Sequence, residues 1–414
     1  MKDRRTATKM FATSYQQASK KRKMEILEEF TQLTGYDRCY AAYLLRQHGK
    51  RVALKGGRIL LSDATMKCAR ERKKTYGAEV LRVLKQIWLI MDCICGKRLA
   101  ACLAEVVPIL ERHREIKLSK RTRGLLLQIS AATIDRLLAE ERRSLALGSR
   151  ARTKPGSLLK SQIPVRTFAD WNEQQPGFVE VDLVGHEGGL AQGDYIQTLD
   201  LVDVYSGWTE TRAVKNKAQV WVFEALQVIR RQLPFKLLGI DSDNGGEFIN
   251  LALLNYCQEQ KITFTRSRSS RKNDNCYVEQ KNYSVVRRAV GYARYDDELQ
   301  LRLLNELYGY LRLYTNFFQP VMKLKEKERI GSKVVKRYDK PQTPYHRLRQ
   351  SPHLSKSEKE KLRTTYELLN PAELKRQIIR LQDELHKSLA KQKPLPKEKV
   401  GLRRQKEIIS QLLK

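Results

Sequence analysis

The sequence predicts a multidomain chain: an all-α front region, an α/β sandwich built on a mixed sheet, and a basic C-terminal region ending in a helical tail. Three observations predict it. Apolar residues recur at helical spacing near the N-terminus, strand-like runs follow one another after residue 178, and positive charge is spread unevenly. The 414 residues leave room for two to four cores at roughly 100 to 200 residues per domain. Lys and Arg number 80 against 46 Asp and Glu, a formal net charge of +34. Self-repulsion on that scale calls for a polyanionic partner. An apolar share of 41% excludes wholesale disorder.

The front region is expected over residues 1–144, with two helix-turn-helix-like units. From Arg22 to Gln47, Met24, Ile26, Leu27, Phe30 and Leu33, then Tyr40, Ala41, Leu44 and Leu45, fall largely three or four apart. That spacing predicts two amphipathic helices, parted by the short break Thr34-Gly35-Tyr36. A second unit runs from Leu125 to Ile129 and, after a turn, from Ser130 as N-cap through Thr133, Ile134, Arg136, Leu137 and Leu138. Its outer face carries Thr133 and Arg136, then Arg142 and Arg143. For each unit alone, a plain helical bundle with a basic coat competes equally with DNA binding. Two such units on so cationic a chain favour DNA.

Residues 145–177, broken by Gly148, Pro155, Gly156, Pro164, Pro176 and Gly177, read as a linker. The α/β core is expected over 178–290. Strands are predicted over Phe178–Val184, Tyr195–Val204 and Trp208–Val214, then a helix over Ala218–Leu233 that stops before Pro234. A buried strand over Phe235–Ile240, a helix after Glu247 to about Gln260, and a strand over Ile262–Thr265 follow. A polar loop, Ser267–Asn275, leads to a last helix from Cys276. This order indicates a mixed sheet with helices. Residues 291–355 form the basic C-terminal region and 356–414 the helical tail. There Leu374, Ile378, Leu381, Leu385 and Leu389 make a stripe that suits a short coiled coil or one packed helix equally.

The core, with 14 basic and 14 acidic residues, is neutral, so all of the excess charge lies outside it. Residues 321–350 alone carry ten basic residues against three acidic ones. Cationic arms around a neutral centre hold a polyanion with salt-sensitive affinity while sparing a site that needs carboxylates. The longest purely hydrophobic run, Cys39 to Leu45, is far short of a bilayer span. No transmembrane segment and no signal peptide are expected, which points to the reducing cytoplasm. The seven cysteines are odd in number and unpatterned, and are read as thiols, mostly in the core.

Three acids stand out by position. Asp182 lies within the first strand, Asp243 directly follows the buried strand, and Glu279 sits in the first turn of the last helix. Brought to one end of a sheet, three anionic groups repel each other unless hard cations such as Mg²⁺ or Mn²⁺ neutralise them. Two such ions about 4 Å apart suit phosphoryl transfer.

Asp243 and Glu279 enclose 35 residues, and the second acid opens Asp243-Asn244-Gly245. On these residues and the helix Asn275-Cys276-Tyr277-Val278-Glu279-Gln280-Lys281-Asn282, the region 178–290 resembles the catalytic domain shared by retroviral integrases and bacterial insertion-sequence DDE transposases. The resemblance implies a ribonuclease-H-like fold with Asp182, Asp243 and Glu279 as catalytic and metal-holding residues and two divalent ions per site. It also implies cleavage at transposon ends followed by joining of the 3′-hydroxyl to target DNA. Retroviral integrases carry a zinc module of paired His and Cys; the six histidines here form no such pattern, so end recognition is expected from metal-free helices.

Alternatives stay open. Asp200, Asp203 and Asp241 each compete for a place in the triad, and Glu247 reads as a helix-start acid. Candidate DNA contacts are Thr133 and Arg136 in the front region, Arg268, Arg271 and Lys272 in the loop before Glu279, and Asn282 and Arg287 on its helix. The reading is a DNA transposase acting as a homo-oligomer on double-stranded DNA. Its rivals are a nuclease of the same fold that only hydrolyses, and a non-enzymatic DNA-binding regulator.

Overall fold

The computed structural model describes residues 2–53, 59–61, 75–145, 174–190, 192–243, 245–267, 275–330 and 332–390. The chain divides into two compact units, Met1–Thr75 and Tyr76–Lys414. The front region expected as one stretch to residue 144 is therefore split, because its second half is built into the core of the larger unit.

In the first unit, α1 (Lys2–Gln17), α2 (Lys20–Thr34) and α3 (Arg38–Gln47) precede a two-stranded ribbon of β1 (Arg51–Ala53) and β2 (Ile59–Leu61). Ser19 caps α2, Asp37 caps α3, and Gly35 ends α2 in the left-handed conformation at φ +65°, where its N–H donates to Thr31. Phe30, Ile26, Leu27, Ala41 and Leu45 close a small core with Ala7, Ala12 and Tyr15 of α1. The predicted pair of helices and its glycine break are thus present. The helix ahead of them has no counterpart in the sequence-based expectation.

In the second unit, α4 (Ala78–Ile90), α5 (Gly96–Arg112), α6 (Lys120–Gln128), α7 (Ala131–Leu137) and α8 (Ala139–Ser144) lead to the sheet. Ser130 caps α7 as predicted, accepting from Thr133 N–H. The expected linker falls largely on 146–173, outside the described residues. Strands β3 (Phe178–Gly185), β4 (Gln197–Asp203) and β5 (Thr209–Val214) form an antiparallel meander. Helix α9 (Gln219–Gln232), β6 (Gly239–Ser242), α10 (Leu251–Glu259) and β7 (Thr263–Arg266) follow, β6 and β7 running parallel to β3. The strand order β5-β4-β3-β6-β7 makes the predicted mixed sheet. The fourth strand differs most, beginning at Gly239 and not Phe235, while the others shift by one or two residues at their ends. Its ladder can start only where β3 offers Phe178 as partner, and that ring leaves no room for a side chain at Gly239. Phe235 and Leu237 are buried before the strand begins.

Both faces of the sheet are covered. Val179, Val181, Leu199, Leu201 and Ile240 pack on α9 and α10. The other face meets α11 (Cys276–Lys281), a π-helical turn (Asn282–Arg287), α12 (Arg288–Val290) and α13 (Glu298–Phe318). A large core then joins α4–α7 to α13 and to α16 (Pro371–Ala390), with Trp88, Leu99, Ile134, Trp208, Tyr308 and Leu381 within it. Between them lie the ribbon β8 (Leu324–Ile330) and β9 (Lys333–Tyr338), then α14 (Pro344–Gln350) and α15 (Lys356–Leu368). The leucine stripe of the tail is buried against α13, so the packed-helix alternative holds for the described part of the tail. Of the six described cysteines only Cys102 and Cys257 are buried, fewer than expected. Among the described residues no helix is long and apolar enough to cross a membrane.

Candidate active site

Alternation along β3 puts Glu180 and Asp182 on the face opposite α9 and α10. The register extends this acidic row. Asp182 pairs with Asp200 on β4, Glu180 lies beside Asp241 on β6, and Asp243 comes one residue after β6 ends. Glu279 stands exposed on α11, the helix laid over this face.

Asp182 is the centre. Its Oδ1 accepts from the Leu183 amide at 2.8 Å and its Oδ2 from the Asn282 side-chain amide at 2.6 Å. Burial, then the charge of Asp243 and that of Glu279, push its carboxyl up to about 7 against those two donors. Asp243 is raised by burial while the Gly245 N–H, 2.9 Å from its Oδ1, resists the shift.

The competing acids separate by their partners. Asp203 is fully engaged, accepting from Gly177 N–H at 2.8 Å and from the Ser206 amide at 2.7 Å, which ties the β4–β5 turn to the start of β3. Asp241 is buried and accepts from the Thr265 hydroxyl. The Asn275 amide, oriented with its nitrogen toward Asp241, donates to it at 3.1 Å while its oxygen accepts from Asp243 N–H at 3.2 Å. Asp241 therefore anchors, and Asp243 is presented. Asp241→Ala is expected to lower the melting midpoint, since buried partners left unmade cost about 1–3 kcal/mol, whereas Asp243→Asn leaves it unchanged or raises it. Thermal melts of the two variants check this. Glu247 is not at a helix start, because α10 begins at Leu251 with Asn250 as its cap; burial and Asp243 raise its carboxyl.

Glu180 and Lys281 escape the sequence reading, and Asp200 enters it only as a rival for the triad. Glu180 is fully buried, and its Oε2 accepts from the Tyr277 and Val278 amides at 2.8 and 2.9 Å, fastening the first turn of α11 to β3. Its two-residue spacing from Asp182 is the signal that could have found it. Asp200 and Lys281 are also buried in this layer. Burial and the Arg98 charge bring Lys281 down to about 8, against the pull of Asp200.

Carboxylate oxygens are hard donors, and a centre whose acids resist ionising fits a divalent cation. Among the described residues no three His, Cys, Asp or Glu side chains stand close enough to share one ion as oriented.

A protein of Sinorhizobium fredii (strain NBRC 101917 / NGR234), designated y4rM and described as uncharacterized, is 42% identical over 333 residues, covering 80% of this chain and 91% of that protein. The chain belongs to the y4rM family. No protein-family model matches it. Solved structures similar to this y4rM-family chain include the HTLV-2 integrase catalytic core in complex with magnesium, dimeric form, at 16% identity and TM-score 0.27 over 35% of this chain and 90% of that one. The catalytic core of BIV integrase matches at 18% identity and TM-score 0.26, over 43% of this chain and 96% of that one.

The candidate DNA contacts of this y4rM-family member are placed unevenly. Arg136 is exposed, but Thr133 is half-buried with its hydroxyl bonded to Ser130 at 3.0 Å. Arg142 lies over Trp88 and pairs with Asp135 at 2.7 Å, so it belongs to the scaffold. Arg268, Arg271 and Lys272 lie outside the described residues. Asn282 is engaged by Asp182, and Arg287 donates to the Gly185 carbonyl at 2.7 Å while covering Tyr292. Helical spacing puts Asn282 on the Glu279 face and Arg287 just beside it, where both are read as DNA contacts. Both instead bond to β3, and the i→i+5 bonding of the π turn brings the two, five residues apart, onto that one side.

Proposed function

We propose that the chain is a DNA transposase of insertion-sequence type, which cuts element ends and joins the freed 3′-hydroxyl to target DNA. The observation that supports this reading most is that the Asp182 carboxyl feels the charges of both Asp243 and Glu279 across a sequence spacing and an Asp-Asn-Gly turn of the integrase kind. In this reading Asp182, Asp243 and Glu279 hold two Mg²⁺ or Mn²⁺ ions. Bound there, the ions supply charge stabilisation for an attacking and a leaving oxygen. The chain's own part is positional. Asn282 fixes the Asp182 carboxylate, Glu180 seats the helix that carries Glu279, and Asn275 links Asp241 to Asp243.

Double-stranded DNA is the fitting partner for the charge outside the core, and pairing two ends requires a homo-oligomer. Arg136 and the helices of the first unit are the candidates for recognising ends. The basic tract forms the ribbon β8–β9, where Lys336, Arg337 and Tyr338 are exposed. A two-stranded ribbon fits the major groove. Replacing Lys336 and Arg337 by Ala is expected to weaken DNA binding at low salt and reduce the salt slope by about one for each phosphate no longer neutralised; titrations at several salt concentrations check it.

The deciding experiment incubates purified protein with labelled end DNA, a target plasmid and Mg²⁺. Joined product supports transposition, and cleavage without joining supports the hydrolytic rival.

A further inference from the structure

On both faces of the ribbon β8–β9 the described side chains from Lys325 to Tyr338 are exposed. A two-stranded ribbon that buries neither face is marginal in water by itself. Its base, however, is tied down. The Lys323 N–H donates to Asp339 Oδ1 at 2.7 Å, Asp339 pairs with Arg347 at 2.7 Å, and the Lys323 ammonium donates to the Tyr205 carbonyl at 2.8 Å. The ribbon is thus held at its root while its two faces stand open to a partner.

The register sorts the charges between those faces, because residues directly opposite one another share a face and faces alternate along each strand. Glu326 stands opposite Arg337, and the two form an ion pair at 3.2 Å. Glu328 lies opposite Val335 and Ile330 opposite Lys333, so this face sets two acids against two bases and is neutral. On the other face Lys336 stands opposite Lys327 and Val334 opposite Arg329. Lys325 and Tyr338 continue it toward the base, where the register slips by one residue. This second face carries four basic residues, a tyrosine and no acid. Like charges set directly opposite each other are unfavourable, and no carboxylate on that face offsets them.

We propose that the ribbon meets double-stranded DNA through this cationic face alone, with Lys325 and Lys336 on phosphates, and that the Glu326–Arg337 face is turned away. This rests on the reading of DNA as the partner of the charge outside the core. A ribbon seated in the major groove presents one face to the duplex. The neutral face would bring Glu326 and Glu328 against phosphates, with Arg337 paired to Glu326. Of the neighbours Lys336 and Arg337, only the lysine therefore neutralises a phosphate. A lipid surface fits less well, since it takes up apolar and basic side chains together, and here Ile330 and Val335 lie on the face away from Lys336.

Full-length wild type, K325Q/K336Q and K333Q/R337Q, titrated with a short duplex of arbitrary sequence at several salt concentrations, test this. Each double change removes two positive charges, so the two differ only in the face they alter. K325Q/K336Q should lower the slope of log K against log salt by about 1.8 and weaken binding roughly fiftyfold at about 0.1 M salt. K333Q/R337Q should weaken it less than about threefold, the residue of a general charge effect. Equal losses in the two, or the larger loss in K333Q/R337Q, overturn the proposal. Lysine acetylation of the wild type, read by mass spectrometry with and without the duplex, needs no variant to fold. Protection of Lys325 and Lys336 with Lys333 still reactive supports the assignment, and equal protection of all three overturns it. A wild type that binds phosphatidylserine vesicles but no duplex overturns both this proposal and the DNA reading. The predicted face dependence without any joined product defeats transposition alone and leaves the face assigned.

Discussion

Asp243→Asn is expected to abolish cleavage and strand transfer in Mg²⁺ while leaving DNA binding intact. The change is isosteric, keeps an oxygen to accept from Gly245 N–H, and removes one of the two negative charges that act on the Asp182 carboxyl. Charge stabilisation at a reacting centre is commonly worth about a hundred- to a thousandfold per group, so the loss should reach at least that range. DNA affinity should not fall, because the excess positive charge lies outside residues 178–290. Gel-based joining assays and binding titrations on one preparation measure both. Undiminished joining by the variant would remove Asp243 from the chemistry.

The second large effect concerns stability without metal. Burial and two like charges raise the Asp182 carboxyl to about 7, above its ordinary value of 3.8. A raised acid favours folding fully below its unfolded pKa, and that contribution is lost as pH rises through the folded value. Metal-free protein should therefore lose stability between about pH 4 and pH 7 from this group. Asp182→Asn should remove the slope and raise the midpoint at pH 8 by a few degrees, at roughly 2–4 °C per kcal/mol for large domains. Mg²⁺ should stabilise the wild type at pH 8 far more than at pH 5, and hardly stabilise the variant. Melting curves across pH with and without Mg²⁺ measure this; a flat wild-type profile would count against an ion-binding role.

Much of the sheet is legible in the sequence because alternation and turn residues act locally. Val179, Val181, Leu199 and Leu201 announce their strands, and Ser130 and Gly35 their helix ends. The candidate acids are singled out in the sequence by the Asp243-Asn244-Gly245 turn and the 35-residue spacing to Glu279. What stays hidden depends on long-range contacts. An amphipathic stripe such as α7 looks the same whether it serves DNA or covers a core, and here Ile134 joins the interior beside Trp88 and Tyr308. Glu180, Asp200 and Lys281 resemble ordinary surface charges until the register and α11 enclose them. The π turn leaves no periodic trace, so the bonds of Asn282 and Arg287 to β3 are not read from the sequence. Helix α1 has only small or scattered apolar residues, Ala7, Ala12 and Tyr15, too faint a signal to read.

The large core has a practical corollary. Val184, Ile196, Trp208 and Ala213 of the sheet region are sealed by segments drawn from residues 80–145 and 304–385, on either side of it in the chain. Excising residues 178–290 would strip that seal and expose tryptophan and aliphatic surface to water. The chain is not modular in the way its charge map suggests, and residues 178–290 do not make a self-sufficient fragment.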